Sequence, residues 1–417
     1  MQIYDLSETR EKVILVGVED NSGIPMTQSL DELAELTNTA GALVVGRVIQ
    51  NRESRHPGTY IGKGKIEEVA QLIEATGADG IICDDELTPA QMANLSDALG
   101  AKVMDRTLLI LDIFAGRAST SEGKIQVELA QLRYRSTRLT GQGTALSRLG
   151  GGIGTRGPGE KKLEMDRRLI KTRISQLKKE LDEVIRHREV ARTQRSKNAV
   201  PVAAIVGYTN AGKSTLLNYL TGAGVLEEDQ LFATLDPTTR QKTMESGQKV
   251  LLTDTVGFIH KLPHHLINAF RSTLEEAKYA DMIIHVVDAS NPQMEQQMRV
   301  VYETLDNLGV KDKTIITAFN KTDKIDPAMK ILLRDAKADK DVFISAKTGE
   351  GTDTLLEIIE EILRASKIYI EQTFPYDKAG QIAIIRKYGQ LLEEDYRGDG
   401  IFVRAYIPRA YSSKLSL

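Results

Sequence analysis

Gly207-Tyr-Thr-Asn-Ala-Gly-Lys-Ser214 follows the apolar run 201–206 and precedes the helix-like segment 215–220. The pattern G-x-x-x-x-G-K-S between a buried strand and a helix is phosphate chemistry. Loop N–H groups and the helix N-terminus converge there on anionic oxygens. Lys213 has the reach for β- and γ-phosphates, and Ser214 offers a hydroxyl to Mg2+. Gly207, Tyr208, Thr209, Asn210, Ala211, Gly212, Lys213, Ser214 and Thr215 are therefore the expected phosphate-binding residues.

Three downstream motifs each close a predicted strand. The run 250–253 ends in Asp254-Thr255-Val256-Gly257. A carboxylate there suits a water-bridged partner of Mg2+, and the Gly257 N–H can sense a γ-phosphate. The run 315–319 ends in Asn320-Lys321-Thr322-Asp323. The Asp323 carboxylate matches two guanine donors, N1–H and the 2-amino group, whereas adenine would leave it unpaired. The run 342–344 leads to Ser345-Ala346-Lys347, whose backbone can meet the guanine oxygen. This order and spacing select GTP over ATP; Lys321 serves packing of the phosphate loop as much as base stacking.

Residues 229–240, DQLFATLDPTTR, have the composition of a mobile loop. Such a loop orders when a threonine hydroxyl meets Mg2+ and its N–H meets the γ-phosphate. Phe232, Ala233, Thr234, Leu235 and Asp236 are its expected nucleotide-facing residues. Thr234 and Thr238 both remain candidates for the metal, and spacing alone does not choose. Lys213, Thr234 and Gly257 are the expected catalytic residues. Many GTPases follow the D-x-x-G glycine with a glutamine that orients water, but here Phe258 stands in that place. Slow intrinsic hydrolysis that depends on a partner is the expectation, alongside a plain packing role for Phe258. His260, His264 and His265 have no accompanying cysteine or carboxylate constellation and read as surface or switch-helix residues.

The elements that position these motifs form an α/β chain of 417 residues in four parts. Residues 1–118 alternate strands (13–18, 42–49, 80–83, 102–104) with helices, one of them capped by Ser29 and another opened by Thr88-Pro89. Tyr60-Ile-Gly-Lys-Gly-Lys65 is either a helix-entry turn or a phosphate loop. Residues 119–198 carry two apolar stripes, Ile125, Leu129, Leu132, Leu139 and Leu163, Ile170, Leu177, Val184, which predict an antiparallel helical hairpin. A helix of about 35 residues would extend roughly 50 Å. Its tip, 140–160, holds eight glycines and includes a literal G-x-G-x-x-G at Gly152, Gly154 and Gly157. With no preceding strand, and Pro158 where a helix should begin, that is not a dinucleotide fingerprint. Residues 199–367 form the P-loop domain. In 368–417, the runs 382–385 and 401–407 read as strands around a short helix or loop at 391–396.

Composition narrows the class. No run of 18 or more apolar residues encodes a transmembrane helix, the N-terminus lacks a secretory pattern, and the single Cys83 excludes an internal disulfide. A reducing cytoplasm is the expected location and a monomer the expected state. The net charge of −3 is an average: residues 133–198 hold 18 Lys/Arg against 7 Asp/Glu, an excess of +11, leaving −14 elsewhere. The basic hairpin is either a solvated helical face or an RNA-contacting arm, and the glycine tip favours RNA. Arg148, Gly151, Gly152, Gly154, Arg156, Lys161 and Lys162 are the expected contacts.

Together LFATLDPTTR (231–240), DTVGFI (254–259), LPHHLINAFRSTLEEA (262–277) and GGGIGTRGPGEKKLEMDRR (150–168) resemble the HflX family of the Obg–HflX group of P-loop GTPases. The last motif lies outside the GTPase domain, and residues 368–417 match less specifically. The resemblance implies a Mg2+-dependent, cytoplasmic GTPase that binds the large (50S) ribosomal subunit and its RNA. It further implies splitting, rescue or recycling of stalled ribosomes, with subunit assembly or action on other RNA as the alternative. It also favours Thr234 as the Mg2+ ligand.

Overall fold

The computed structural model describes residues 10–20, 25–146, 158–197, 200–222, 231–262, 276–365 and 367–408. The chain forms two compact units. The first comprises residues 1–183 with 229–235 and 261–270; the second comprises 184–228, 236–260 and 271–417.

In the first unit, β1 (Lys12–Glu19), β2 (Leu43–Asn51), β3 (Gly80–Cys83) and β4 (Lys102–Asp105) make a parallel sheet of order β2-β1-β3-β4. Helices α1 (Met26–Thr39), α2 (Lys63–Thr76), α3 (Pro89–Leu99) and α4 (Arg106–Arg117) accompany it. Strands buried on both faces read as continuous apolar runs, and Val13–Val16 and Val18 are all buried. Helix α3 starts as its sequence dictates, since Thr88 and Gln91 form a reciprocal capping box. Ser29 is not a cap. Helix α1 begins three residues earlier, after Pro25, and Ser29 sits buried inside it, donating to Asp84 Oδ2 at 2.7 Å. The missing first-turn acceptor comes from Glu19, whose carboxylate takes the Met26 N–H at 2.6 Å.

Helices α5 (Ser121–Leu146) and α6 (Pro158–Lys197) run antiparallel where they are cross-linked. Arg173 binds Glu128 at 2.7 and 2.9 Å, and Arg167 donates to the Leu139 carbonyl at 2.9 Å. Asp105 fixes α5 against β4, accepting from Tyr134 Oη and Arg138 Nη2, each at 2.8 Å. Both helices extend into the segment expected as loop. Pro158 is the first residue of α6, where a missing N–H costs nothing, so proline marks a helix start here rather than forbidding one. Gly152, Gly154 and Gly157 lie outside the described residues, between α5 and α6. Arg148, Gly151, Gly152, Gly154 and Arg156 lie outside the described residues, and Lys161 and Lys162 lie on α6.

In the second unit, β5 (Val202–Gly207), β6 (Thr238–Thr243), β7 (Lys249–Asp254), β8 (Met282–Asp288), β9 (Thr314–Asn320) and β10 (Lys340–Phe343) form a sheet of order β10-β9-β8-β5-β7-β6. Only β6 runs antiparallel. Helices α7 (Lys213–Thr221), α8 (Met294–Asn307) and α9 (Thr352–Ala365) accompany it. Its core joins Ala203, Ile205, Leu216, Ile284, Ile316 and Leu355.

The last segment corrects two expectations. Residues 382–385 belong to a helix, α10 (Ala379–Tyr388), because Ile382 and Ile385, three apart, bury one helical face. Residues 391–396 belong to β12 (Gln390–Arg397), paired along its length with β13 (Gly400–Pro408), which also pairs β11 (Lys367–Phe374). No helix among the described residues is long and apolar enough to cross a membrane.

The hairpin separates burial from surface charge. Leu177 is fully buried, so Leu177→Ala should destabilise the α5–α6 seam by about 2–5 kcal/mol. Arg173→Ala removes a pair with both partners over 40% exposed, and should change stability by only about 0–1 kcal/mol. Amide exchange along α5 and α6 measures both; equal effects would contradict a hydrophobic seam.

Candidate nucleotide site

The phosphate loop leaves the carboxyl end of β5, inside the sheet between β8 and β7, where open α/β sheets bind ligands. Two positions need left-handed backbone: Asn210, at φ +60°, and Gly212, at φ +97°. Gly212 admits no side chain, since a Cβ there would stand 2.2 Å from Asn320 Nδ2. Lys213 follows in the first turn of α7, only 6% exposed, with Nζ donating to the Tyr208 carbonyl at 2.8 Å. Burial pulls its ammonium down to about 8, Asp254 opposing the shift and Lys321 adding to it.

Ser214 Oγ donates to Asp254 Oδ2 at 2.8 Å, at the end of β7. A hydroxyl and a carboxylate side by side are the hard oxygen donors that Mg2+ takes, so these two residues fit the ion. Thr238 has a different setting from the mobile loop expected of it. It opens β6, paired directly with Asp254, and its neighbour Thr239 bonds Thr253 through their hydroxyls at 2.9 Å. Thr234 stands outside the ladder, half-buried, beside Ala233, Leu235 and Asp236. Phe232, at φ +57°, is buried in the first unit with its ring 4.7 Å from Phe114, edge to face.

The D-x-x-G segment is laid on the phosphate loop by backbone. Thr209 N–H donates to the Phe258 carbonyl at 2.8 Å, and Phe258 N–H to Gly207 at 3.1 Å. Gly257 is so close that a Cβ would meet Thr209 Cα at 2.8 Å and Lys213 Nζ at 3.1 Å. Thr255 donates to the Ile205 carbonyl at 2.8 Å, and Val256 is buried beside it. Phe258 is 1% exposed, so the position that carries a water-orienting glutamine elsewhere is a packed ring here.

The guanine motif is held from both ends of one amide. Asn320 Nδ2 donates to the Ala211 carbonyl at 2.8 Å, and its Oδ1 accepts from Ala346 N–H at 2.9 Å. Asp323 Oδ1 accepts from Ser345 Oγ at 2.7 Å, and that bond keeps its carboxyl below the usual range. Thr322 is fastened to the Ile344 carbonyl, and Lys347 adds positive charge near Asp323. Lys321, at φ +63°, pairs with Asp288 at 2.8 Å. Sequence reasoning passed over Asp288, although it closes β8 as Asp254 closes β7. It also passed over Tyr208 Oη, which accepts from His260 N–H at 2.8 Å. His264 and His265 lie outside the described residues. The remaining loop residue, Thr215, lies in the first turn of α7.

Three family models match in sequence. Residues 27–115 match a GTP-binding GTPase N-terminal region, 117–195 its middle region, and 202–321 a 50S ribosome-binding GTPase. GTPase HflX of Lacrimispora saccharolytica is 64% identical over 415 residues, covering 100% of this chain and 98% of the relative. GTPase HflX of Escherichia coli K12 is 41% identical over 362 residues, 87% of this chain and 85% of the relative. A GTP-binding protein from the archaeon Sulfolobus solfataricus, solved with GDP, is 26% identical, covering 84% of this chain and 98% of its own, with a TM-score of 0.45. Matched over 100% and 87% of its length by these two HflX proteins, this chain is a GTPase and belongs to the HflX family.

Proposed function

We propose that the protein is a GTP-driven switch that binds the large (50S) ribosomal subunit and takes part in splitting or rescuing stalled ribosomes. The match of residues 202–321 to a 50S ribosome-binding GTPase carries this reading. The +11 excess of residues 133–198 supports RNA contact through phosphate neutralisation. The hairpin tip, with Arg148, Gly151, Gly152, Gly154 and Arg156, and the start of α6, with Lys161 and Lys162, would supply those contacts.

Ser214 and Thr234 would hold Mg2+ through their hydroxyls, and Asp254 through water. The bound ion supplies charge neutralisation to the β- and γ-phosphates. Lys213 carries positive charge to the same oxygens, and the Gly257 N–H reports the γ-phosphate. Residues 231–237 and 255–262, outside the β6–β7 ladder, would change setting between GTP and GDP. With Phe258 buried, no side chain at that position orients the attacking water. Hydrolysis is then slow until the ribosome organises the site.

Three measurements bear on this reading. Co-sedimentation with 50S subunits should be strong with a non-hydrolysable GTP analogue and weak with GDP; association indifferent to nucleotide would sink the switch. Asp323→Asn should lower GTP affinity roughly 100-fold by mismatching the guanine donors, while improving xanthosine triphosphate binding. Unchanged preference would remove Asp323 from base recognition. Lys213 gives a pH signature. Its free ammonium loses its proton near pH 8, and a bound polyphosphate favours the charged form. Affinity should therefore fall as pH rises through about 8, with proton uptake at pH above it. Calorimetry in buffers of different ionisation enthalpy reads that uptake, and its absence would contradict a buried, depressed lysine.

A further inference from the structure

The expected guanine and phosphate motifs follow different strands of one sheet. In the order β10-β9-β8-β5-β7-β6, the guanine motif closes β9 and the phosphate loop leaves β5. Strand β8 stands between them and pairs with both. A ligand that reaches from Asp323 to Lys213 therefore crosses the carboxyl end of β8. That end is Asp288, the last residue of the strand and the register partner of Asn320. The next residue, Ala289, donates its N–H to the Asn320 carbonyl at 3.0 Å, which ties the two strand ends together.

Both oxygens of the Asp288 carboxylate are engaged. Oδ1 accepts from Ser290 N–H at 3.0 Å and from Ser290 Oγ at 2.6 Å. Oδ2 stands 2.8 Å from the Lys321 ammonium. The acid is 13% exposed and the lysine 21%, so water screens the pair only in part. Lys321 holds a left-handed backbone, φ +63°, at the first residue beyond β9. From that turn its four-carbon stem spans the ends of β9 and β8. Such a stem offers an apolar surface along its length, but its rotamer freedom must be given up to present it.

We infer that Asp288 is a positioning residue for nucleoside binding, which fixes the Lys321 stem as a floor between the guanine and phosphate ends of the site. The inference rests on the reading of 207–215 and 320–323 as the GTP site. Ser290 sets the carboxylate, the carboxylate sets the ammonium, and the ammonium stretches the stem across the end of β8. A stem ordered before the ligand arrives spares binding the cost of ordering it. The bridge lies on the nucleoside side of the site, so GDP and GTP should feel it alike. Asp288 acts through Lys321 alone, and that dependence separates positioning from a role in shaping the turn.

Calorimetric affinities of the full chain for GDP, a non-hydrolysable GTP analogue and ADP test this. If the wild type does not prefer GDP to ADP, the nucleotide-site reading itself fails, and the inference falls with it. Asp288→Asn keeps an oxygen for Ser290 but turns an amide toward the ammonium. It should weaken GDP and the analogue by about tenfold each. Asp288→Glu, which keeps the charge, should stay nearer the wild type than Asp288→Asn does. Lys321→Met breaks the same bridge without touching the Asp288 turn, and should cost a similar factor. The double variant should then bind no more weakly than either single one. Losses that multiply in the double variant make Asp288 a residue that only shapes its turn, which overturns the inference. So does a loss confined to the analogue, or a GDP affinity left unmoved by Lys321→Met.

Discussion

A buried cation short of counter-charge governs the nucleotide site. Lys213 sits 6% exposed, where burial disfavours its charged form and Asp254 opposes that only in part. A polyphosphate relieves this cost by bringing several negative charges to a place already lined with loop N–H groups. The surrounding geometry follows from keeping that lysine in place. Gly212 must lack a side chain so that Asn320 can approach, and Asn320 must spend both ends of its amide on Ala211 and Ala346. The segments expected to meet phosphate and guanine are thereby fastened to each other through Asn320. A ligand with only the base or only the phosphates uses half of a preorganised site.

The two sheets solve the same electrostatic problem with opposite signs. At the end of β5 the protein supplies the cation and the ligand is anionic. At the ends of β1 and β3 the protein supplies carboxylates, and Lys261 of the same unit pairs with Asp84 and Asp85. Both follow from parallel topology, which gathers loops at the carboxyl ends of strands and leaves a crevice where the winding reverses. The charge of the residues that close the strands decides what each crevice accepts.

The candidate nucleotide site was legible as a cluster of motifs because most of its geometry is local. Gly207 to Ser214 are read from the strand before and the helix after, and the motifs at 254, 320 and 345 each end or follow a strand of the same sheet. What escaped reading depends on distant partners. Ser29 looks like a cap in isolation, but its hydroxyl is claimed by Asp84, 55 residues away. Residues 391–396 contain leucine and glutamate, good helix formers, yet pairing with β13 overrides that preference. Residues 382–385 are apolar and three of the four are β-branched isoleucines, yet the spacing of Ile382 and Ile385 also fits one face of α10. Lys261 carries no motif of its own, and only the folded chain brings it 177 residues back to Asp84.

Phe232 and Lys261 show why such positions are not glycine. Each holds a left-handed backbone, at φ +57° and +54°, where glycine would relieve a cost of about 1–3 kcal/mol. Each also carries a side chain that the first unit needs: a ring set edge-on to Phe114, and an ammonium shared by two buried aspartates. Glycine would give the turn and lose the anchor, while any residue in a relaxed turn would aim the anchor elsewhere. The strain is retained because the side-chain contact exceeds it in this arrangement.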